Sequence, residues 1–196
     1  DIDDQLTSRE HSLALAASGA RTFIAGLGKK VILSNVLALT SEQAFALSVS
    51  RELTVLMAWL GGIAYTLQLY LDFSGYCDIA TGCARLLGIR LPANFNSPYR
   101  SLSVGEFWKR WHISLSSWLQ EYLYIPLGGN RRGNRYVNLM ITMVLGGLWH
   151  GANYTFILWG ILHGLFSVLY RWKQRWFDSW KMTFFIQHTC FCADTD

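Results

Sequence analysis

Residues 137–170 read VNLMITMVLGGLWHGANYTFILWGILHGLFSVLY and contain no Asp, Glu, Lys or Arg. One straight helix of that length would measure about 51 Å, well beyond the roughly 30 Å hydrocarbon core of a bilayer. The stretch therefore has to bend back or run through buried protein. The break is expected at Gly151-Ala152-Asn153, directly after His150, where a small residue and a turn former interrupt the apolar run. Arg131, Arg132 and Arg135 precede the stretch, and Arg171, Lys173 and Arg175 follow it. With both clusters on the cytoplasmic side, the stretch is a helical hairpin. Its first arm, residues 137–149, covers only about 20 Å, which puts His150 at a tip at membrane depth. Non-helical backbone at that depth needs surrounding protein or a wet cavity.

Composition agrees with a bilayer as solvent. Of the 196 residues 52% are hydrophobic and 15% are charged, against about 25% charged in an average soluble protein. Nine Trp and nine Tyr suit membrane interfaces, where a ring is apolar at one end and wet at the other. The net charge of +4 gathers at Lys29-Lys30, Lys109-Arg110, Arg131-Arg132 with Arg135, and Arg171 with Lys173 and Arg175. Each cluster abuts an apolar run, so the positive-inside rule accounts for them and no nucleic-acid partner is expected. Cys77, Cys83, Cys190 and Cys192 lack zinc spacing and are read as free thiols filling core space. The chain starts without an initiator Met in an acidic, polar segment, and no signal peptide is recognisable. Both ends are expected to be truncated. Residues 1–180 are read as one partial membrane domain and residues 181–196 as an atypical or irregular tail.

Working outward, residues 1–12 are polar and extramembrane. Residues 13–39 read as a mostly apolar helix interrupted by Lys29-Lys30, whose ammonium groups sit at or snorkel to a headgroup surface. Residues 53–71 carry no charge, reach about 28 Å as a helix and form the clearest span. Residues 72–88 look less regular, with Asp72, Gly75, Asp78 and Gly82 among apolar neighbours; the acids are costly unless paired or wet. Pro92, Asn94, Asn96 and Pro98 mark residues 90–103 as a loop. Ser103 and Glu106 then have capping-box spacing, opening a helix expected to run from Val104 to about Tyr124. Pro126 and Gly128-Gly129 end it. The predicted class is all-α, a multi-pass transmembrane fold.

His150 is the sharpest candidate for chemistry. An ionisable side chain at membrane depth is a functional hypothesis by default, and Gly146, Gly147 and Gly151 leave a ligand room to approach. A buried, neutral imidazole can take a proton from a hydroxyl near neutral pH. Trp108, His112, Leu115 and Leu119 fall at helical spacing, on a face that lines a pocket or simply packs. His163 is read as structural, hydrogen-bonded to a neighbouring helix, and His11 and His188 as incidental. Gly-x-Ser-x-Gly, His-Glu-x-x-His and Walker patterns are absent.

Four stretches carry a resemblance: residues 70–78 (YLDFSGYCD), 94–99 (NFNSPY), 107–116 (FWKRWHISLS) and 147–152 (GLWHGA). In this order and spacing they resemble the membrane-bound O-acyltransferases, most of all the bacterial branch that acts in alginate O-acetylation and D-alanyl transfer. Residues 26–31 (GLGKKV) and 124–129 (YIPLGG) match the same branch. The resemblance covers roughly residues 20–175, without the N- and C-terminal spans of the family.

It implies a multi-helix membrane fold with a funnel or tunnel meeting a buried His. By motif, that residue is His150, and the second characteristic His is His112. The implied reaction moves an acyl group, acetyl before D-alanyl, from a thioester donor such as acetyl-CoA or an acyl carrier to a hydroxyl. The implied acceptor is a cell-envelope polysaccharide or a periplasmic or extracellular relay protein. His150 would be the general base, with His112 positioning substrate or stabilising charge, and Trp108, Trp111, Trp149, Asp72 and Asn153 binding substrate. No metal and no tightly bound cofactor is implied. The bacterial cytoplasmic membrane, with its lipid as partner, is the implied location. Two other classes fit the residues: a transporter or channel using Asp72, Asp78, His150 and His163 as a polar pathway, and a non-catalytic scaffold of an envelope-modification complex.

Overall fold

A computed structural model describes residues 2–7, 9, 11–50 and 52–174. The tail at 181–196, with His188, Cys190 and Cys192, lies outside the described residues. All regular elements among the described residues are helical, and the chain divides into two compact units at residues 93 and 94.

The first unit is built from α1 (Ile2–Thr7), α2 (Leu13–Leu27), α3 (Asn35–Val49) and α4 (Val55–Leu86). Ser12 starts α2 by accepting a hydrogen bond from the Leu15 amide. A π-helical stretch, Gly28–Ser34, carries α2 directly into α3. The continuous helix Leu13–Val49 is the one helix among the described residues long and apolar enough to cross a membrane. The sequence had put residues 53–71 first. Gly61, Gly62, Thr66 and Gln68 dilute the hydropathy of that half of α4.

α4 also corrects the reading of residues 72–88, which are not irregular but helical to Leu86. The reason lies in α2, which runs antiparallel to α4 with glycine facing glycine. A Cβ on Gly26 would stand 2.6 Å from the Gly75 carbonyl oxygen, and one on Gly19 would stand 2.8 Å from that of Gly82. Small residues of this kind let helix backbones approach closely. The two acids find cations across the same seam: Lys29 Nζ lies 2.6 Å from Asp78 Oδ2, and Lys30 Nζ lies 2.5 Å from Asp72 Oδ1. Arg85 adds hydrogen bonds from Nη1 to Ser18 Oγ at 3.2 Å and Thr22 Oγ1 at 2.9 Å. The lysines at 29 and 30 therefore serve the helix seam, where the sequence had sent them to a headgroup surface. Gln5 ties α1 down with both ends of its amide, to the N–H and the carbonyl of Arg90.

The buried residues of this unit are small or polar, among them Ser34, Ala44, Ala64, Thr66 and Ser74. Its exposed residues include Ile24, Val31, Ile32, Leu33, Val36 and Leu39. That order is the reverse of a water-soluble core. Cys83 is exposed and Cys77 half-buried, so Cys83 does not fill core space as expected.

The second unit holds α5 (Val104–Trp108), α6 (Ile113–Leu119), α7 (Arg135–His150) and α8 (Tyr154–Gln174). The expected hairpin is present: α7 stops at His150, residues 151–153 turn, and α8 packs back along it. Glycine again sets the contact, since a Cβ on Gly160 would stand 2.6 Å from the Met143 carbonyl oxygen. The single helix expected from Val104 to Tyr124 is broken. α5 ends at Trp108, His112 adopts φ 43° and ψ 56°, and α6 then leads into a π-helical turn, Gln120–Tyr124.

Candidate active site

α7 presents Leu139, Thr142, Met143, Gly146 and His150 to one cavity, positions three, four, seven and eleven residues on from the first and so on one face. α8 contributes Trp159, Ser167, Tyr170 and Arg171. The broken α5–α6 segment brings Trp108, His112, Leu115 and Leu119. The cavity measures about 500 Å³. At 1.5 Å per residue its α7 wall runs about 17 Å and its α8 wall about 18 Å. It is a slot, with His112 and His150 toward one end and Arg171, Tyr124 and Asn130 toward the other.

Local sequence explains how each histidine gets there. Ser103 caps α5 by accepting from the Glu106 amide at 3.0 Å, and Glu106 Oε2 accepts from the Leu102 amide at 2.8 Å. This is the predicted capping box with the carboxylate reaching one residue further back. Glu106 Oε1 also holds Arg110, at 3.0 Å from Nε and 2.7 Å from Nη2. Its carboxyl is pushed below the usual carboxylate range, first by the Leu102 hydrogen bond and then by Arg110. Past α5 the chain turns through the left-handed conformation of His112. His is among the side chains that tolerate this region better than most. The Arg110 carbonyl accepts from the Asn96 amide at 3.0 Å, and the Ile113 amide donates to the Asn94 carbonyl at 2.9 Å. Residues 94–96 thus clamp the turn from outside.

The His112 ring is half-buried. It lies in a connection between two helices too short to span a bilayer. Burial, and secondarily the positive charge that His150 can carry, lower its pKa below the ordinary value of 6.5. Nδ1 stands 3.3 Å from Asn94 Oδ1. His150 ends α7, and its ring packs on Phe156 (centroids 6.0 Å, 25° apart) and edge-on to Trp159 at 5.3 Å. It is exposed at the rim of the slot rather than enclosed. Trp149 lies against both imidazoles, 6.3 Å from His112 and 5.3 Å from His150 between centroids.

The candidate residues therefore separate. His112, His150, Trp108 and Trp149 come together. Trp111 is buried away from the slot, stacked on Phe107 at 5.6 Å and edge-on to Phe95 at 5.1 Å. Asp72 belongs to the first unit and is paired with Lys30. Asn153 is exposed at the start of α8, where its side chain accepts from the Thr155 amide at 3.4 Å. His163 is fully buried, with ring centroids 4.6 Å from Trp159 and 5.3 Å from Trp108.

Sequence reasoning did not single out Asn94, Tyr124, Asn130, Ser167 or Arg171 for the site. Arg171 was visible only as part of a basic cluster. It donates to Tyr124 Oη at 3.3 Å, and Tyr124 donates to Asn130 Oδ1 at 2.7 Å. Asn138 fixes the turn that carries Asn130, donating to the carbonyls of Gly129 at 3.0 Å and Arg132 at 3.1 Å. Gly128, at φ 114°, permits that turn, since a Cβ there would fall 2.4 Å from the Arg132 carbonyl oxygen. Two residues of the slot wall, Trp108 and Ser167, keep a polar atom, Nε1 and Oγ, buried with no hydrogen-bond partner among the described residues.

Comparison with known proteins gives one family and several relatives. The family model described as "MBOAT, membrane-bound O-acyltransferase family" matches residues 6–193. A Pseudomonas putida protein named "Probable alginate O-acetylase AlgI" is 51% identical over 173 residues, 87% of this chain and 35% of the relative. Its namesake from Azotobacter vinelandii is 52% identical over 173 residues, 87% of this chain and 34% of the relative. A Helicobacter pylori "Peptidoglycan O-acetyltransferase" is 48% identical over 157 residues, 79% of this chain and 29% of the relative. The chain spans about a third of the length of these relatives.

Proposed function

The chain belongs to the membrane-bound O-acyltransferase family, and from that premise we propose that it forms the reaction chamber of a membrane-embedded enzyme that O-acetylates a cell-envelope polymer. The observation that carries this reading is the slot that has His112 and His150 together at one end and a cation, Arg171, at the other.

The two ends suit two substrates. A thioester on a long anionic arm fits lengthwise. Its anionic group pairs with Arg171 at the far end of the slot. Acetyl-CoA or an acyl carrier has this chemistry. The acceptor hydroxyl approaches His150 from the open rim. His150 removes the hydroxyl proton while the oxygen attacks the thioester carbonyl. A C–O ester bond forms, the C–S bond breaks, and the departing thiolate takes up a proton. General base catalysis of this kind contributes about 10²–10⁴-fold. The acceptor is an envelope polysaccharide, or a relay protein that carries the acetyl group outward. Acetyl is preferred over D-alanyl because the relatives named above are an O-acetylase and an O-acetyltransferase.

The apolar exposed surface of Leu13–Val49 supports embedding in a membrane, and with the basic clusters on the cytoplasmic side that membrane is the bacterial inner one. Full-length protein in vesicles, given a thioester donor carrying labelled acetyl and a soluble polysaccharide acceptor, should release free thiol and label the polymer in equal amounts. Donor consumption without polymer or relay-protein labelling would refute the reading.

A further inference from the structure

We propose that Asn94 is a positioning residue that fixes the tautomer of His112 and makes Nε2 of that ring a hydrogen-bond acceptor for a second, non-reacting hydroxyl of the acceptor. The inference rests on the function proposed above. It decides which of two tasks His112 performs there.

The argument starts at the Asn94 side chain. Its Oδ1 accepts from the Ser114 amide at 3.0 Å and from Ser114 Oγ at 2.9 Å, and it stands 3.3 Å from His112 Nδ1. Oxygen and nitrogen of an Asn amide are assigned from their partners. A backbone amide can only donate, so the Asn94 atom that faces Ser114 is the oxygen. His112 Nδ1 shares that oxygen and must therefore carry a proton. A neutral imidazole has one ring proton, so Nε2 holds a lone pair. An unprotonated nitrogen cannot stabilise an oxyanion, which needs a donor. It can accept a hydrogen bond from a second, non-reacting hydroxyl of the acceptor, which orients the acceptor and leaves the proton of the attacking hydroxyl to His150.

The same oxygen explains how α6 begins. His112 occupies the N-cap position with a left-handed backbone, and its side chain makes no capping hydrogen bond. Asn94, eighteen residues earlier in the chain, supplies the missing acceptor for the second amide of the helix. Helix start and ring orientation are thereby set by one atom, and the clamp from residues 94–96 to 110–113 holds both in register.

The test is the ring tautomer of His112 in full-length protein labelled with ¹⁵N-histidine in lipid, with the resonance assigned by its loss in His112→Ala. The expected neutral form has Nδ1 protonated and Nε2 bare. Asn94→Asp keeps an acceptor oxygen and should keep that form. Asn94→Leu should release the ring to the other tautomer and lower kcat on the order of 10²-fold with KM for the donor unchanged. Nε2–H in the unaltered protein, or Nδ1–H retained in Asn94→Leu, overturns the proposal. Full transfer by His112→Ala itself would strike the functional reading instead, and the spectrum would still decide the role of Asn94.

Discussion

Gly147 of α7 and Gly160 of α8 face each other so closely that a Cβ built on Gly147 would lie 3.2 Å from the Gly160 Cα and 2.3 Å from the Phe156 carbonyl oxygen. The obstacle is backbone, which cannot rotate aside. Gly147→Ala should therefore push the hairpin apart and cost about 1–3 kcal/mol, the usual range for overpacking. Thermal unfolding in detergent should show the loss. Because Phe156 stacks on His150, acetyl transfer should fall as well, measured below the unfolding temperature.

The pair of Lys30 and Asp72 makes a second prediction. Lys30 sits near the middle of the apolar helix Leu13–Val49, where an unpaired charge is costly. Asp72→Asn should therefore lower stability clearly, and the exchange Lys30→Asp with Asp72→Lys should recover much of the loss. Transfer rates at a temperature where all variants are folded should match the unaltered protein. A large, selective fall in kcat for Asp72→Asn would return Asp72 to the substrate contacts.

Glu106 predicts a pH effect on stability. Its carboxyl is more acidic in the folded protein than the ordinary value of 4.5, through the Leu102 amide first and Arg110 second. The contribution is therefore fully present above about pH 4.5 and fades as pH falls through the lower folded value. Glu106→Gln should flatten the acid limb of a stability–pH profile. The difference between the two proteins should be largest near neutrality and vanish in strong acid.

Arg171 predicts donor affinity. Arg171→Ala should raise KM for an anionic thioester about tenfold or more and leave a short thioester without a charged group almost unaffected, since a charged hydrogen bond contributes about 1.5–3 kcal/mol. Kinetics with the two donors side by side would check this.

Much of the second unit is legible in the sequence. The uncharged stretch 137–170 is too long for one span, and the structure turns where Gly151 to Asn153 interrupt it. The Ser103 to Glu106 spacing marks the start of α5. The end of α5 is not legible. A left-handed His112 has no local signature, because its conformation is held by residues 94–96 far away in sequence. The four residues read as one helix face, Trp108, His112, Leu115 and Leu119, do line one slot, though a broken segment rather than a continuous helix brings them there. In the first unit Asp72 and Asp78 made residues 72–88 look irregular. The useful signal was the seven-residue spacing of Gly19 with Gly26 and of Gly75 with Gly82, which places each pair on one helix face. Asn94 was visible only inside a longer motif, since a positioning contact made across eighteen residues leaves no periodicity.

The most direct measurement is acetyl transfer by full-length protein carrying His150→Ala, scored beside its expression and membrane insertion. With insertion unchanged, labelled acetyl should no longer reach the polymer or its relay, a fall of at least about 10²-fold. Transfer at the unaltered rate would contradict the assignment of the slot as the place where the acyl group changes hands.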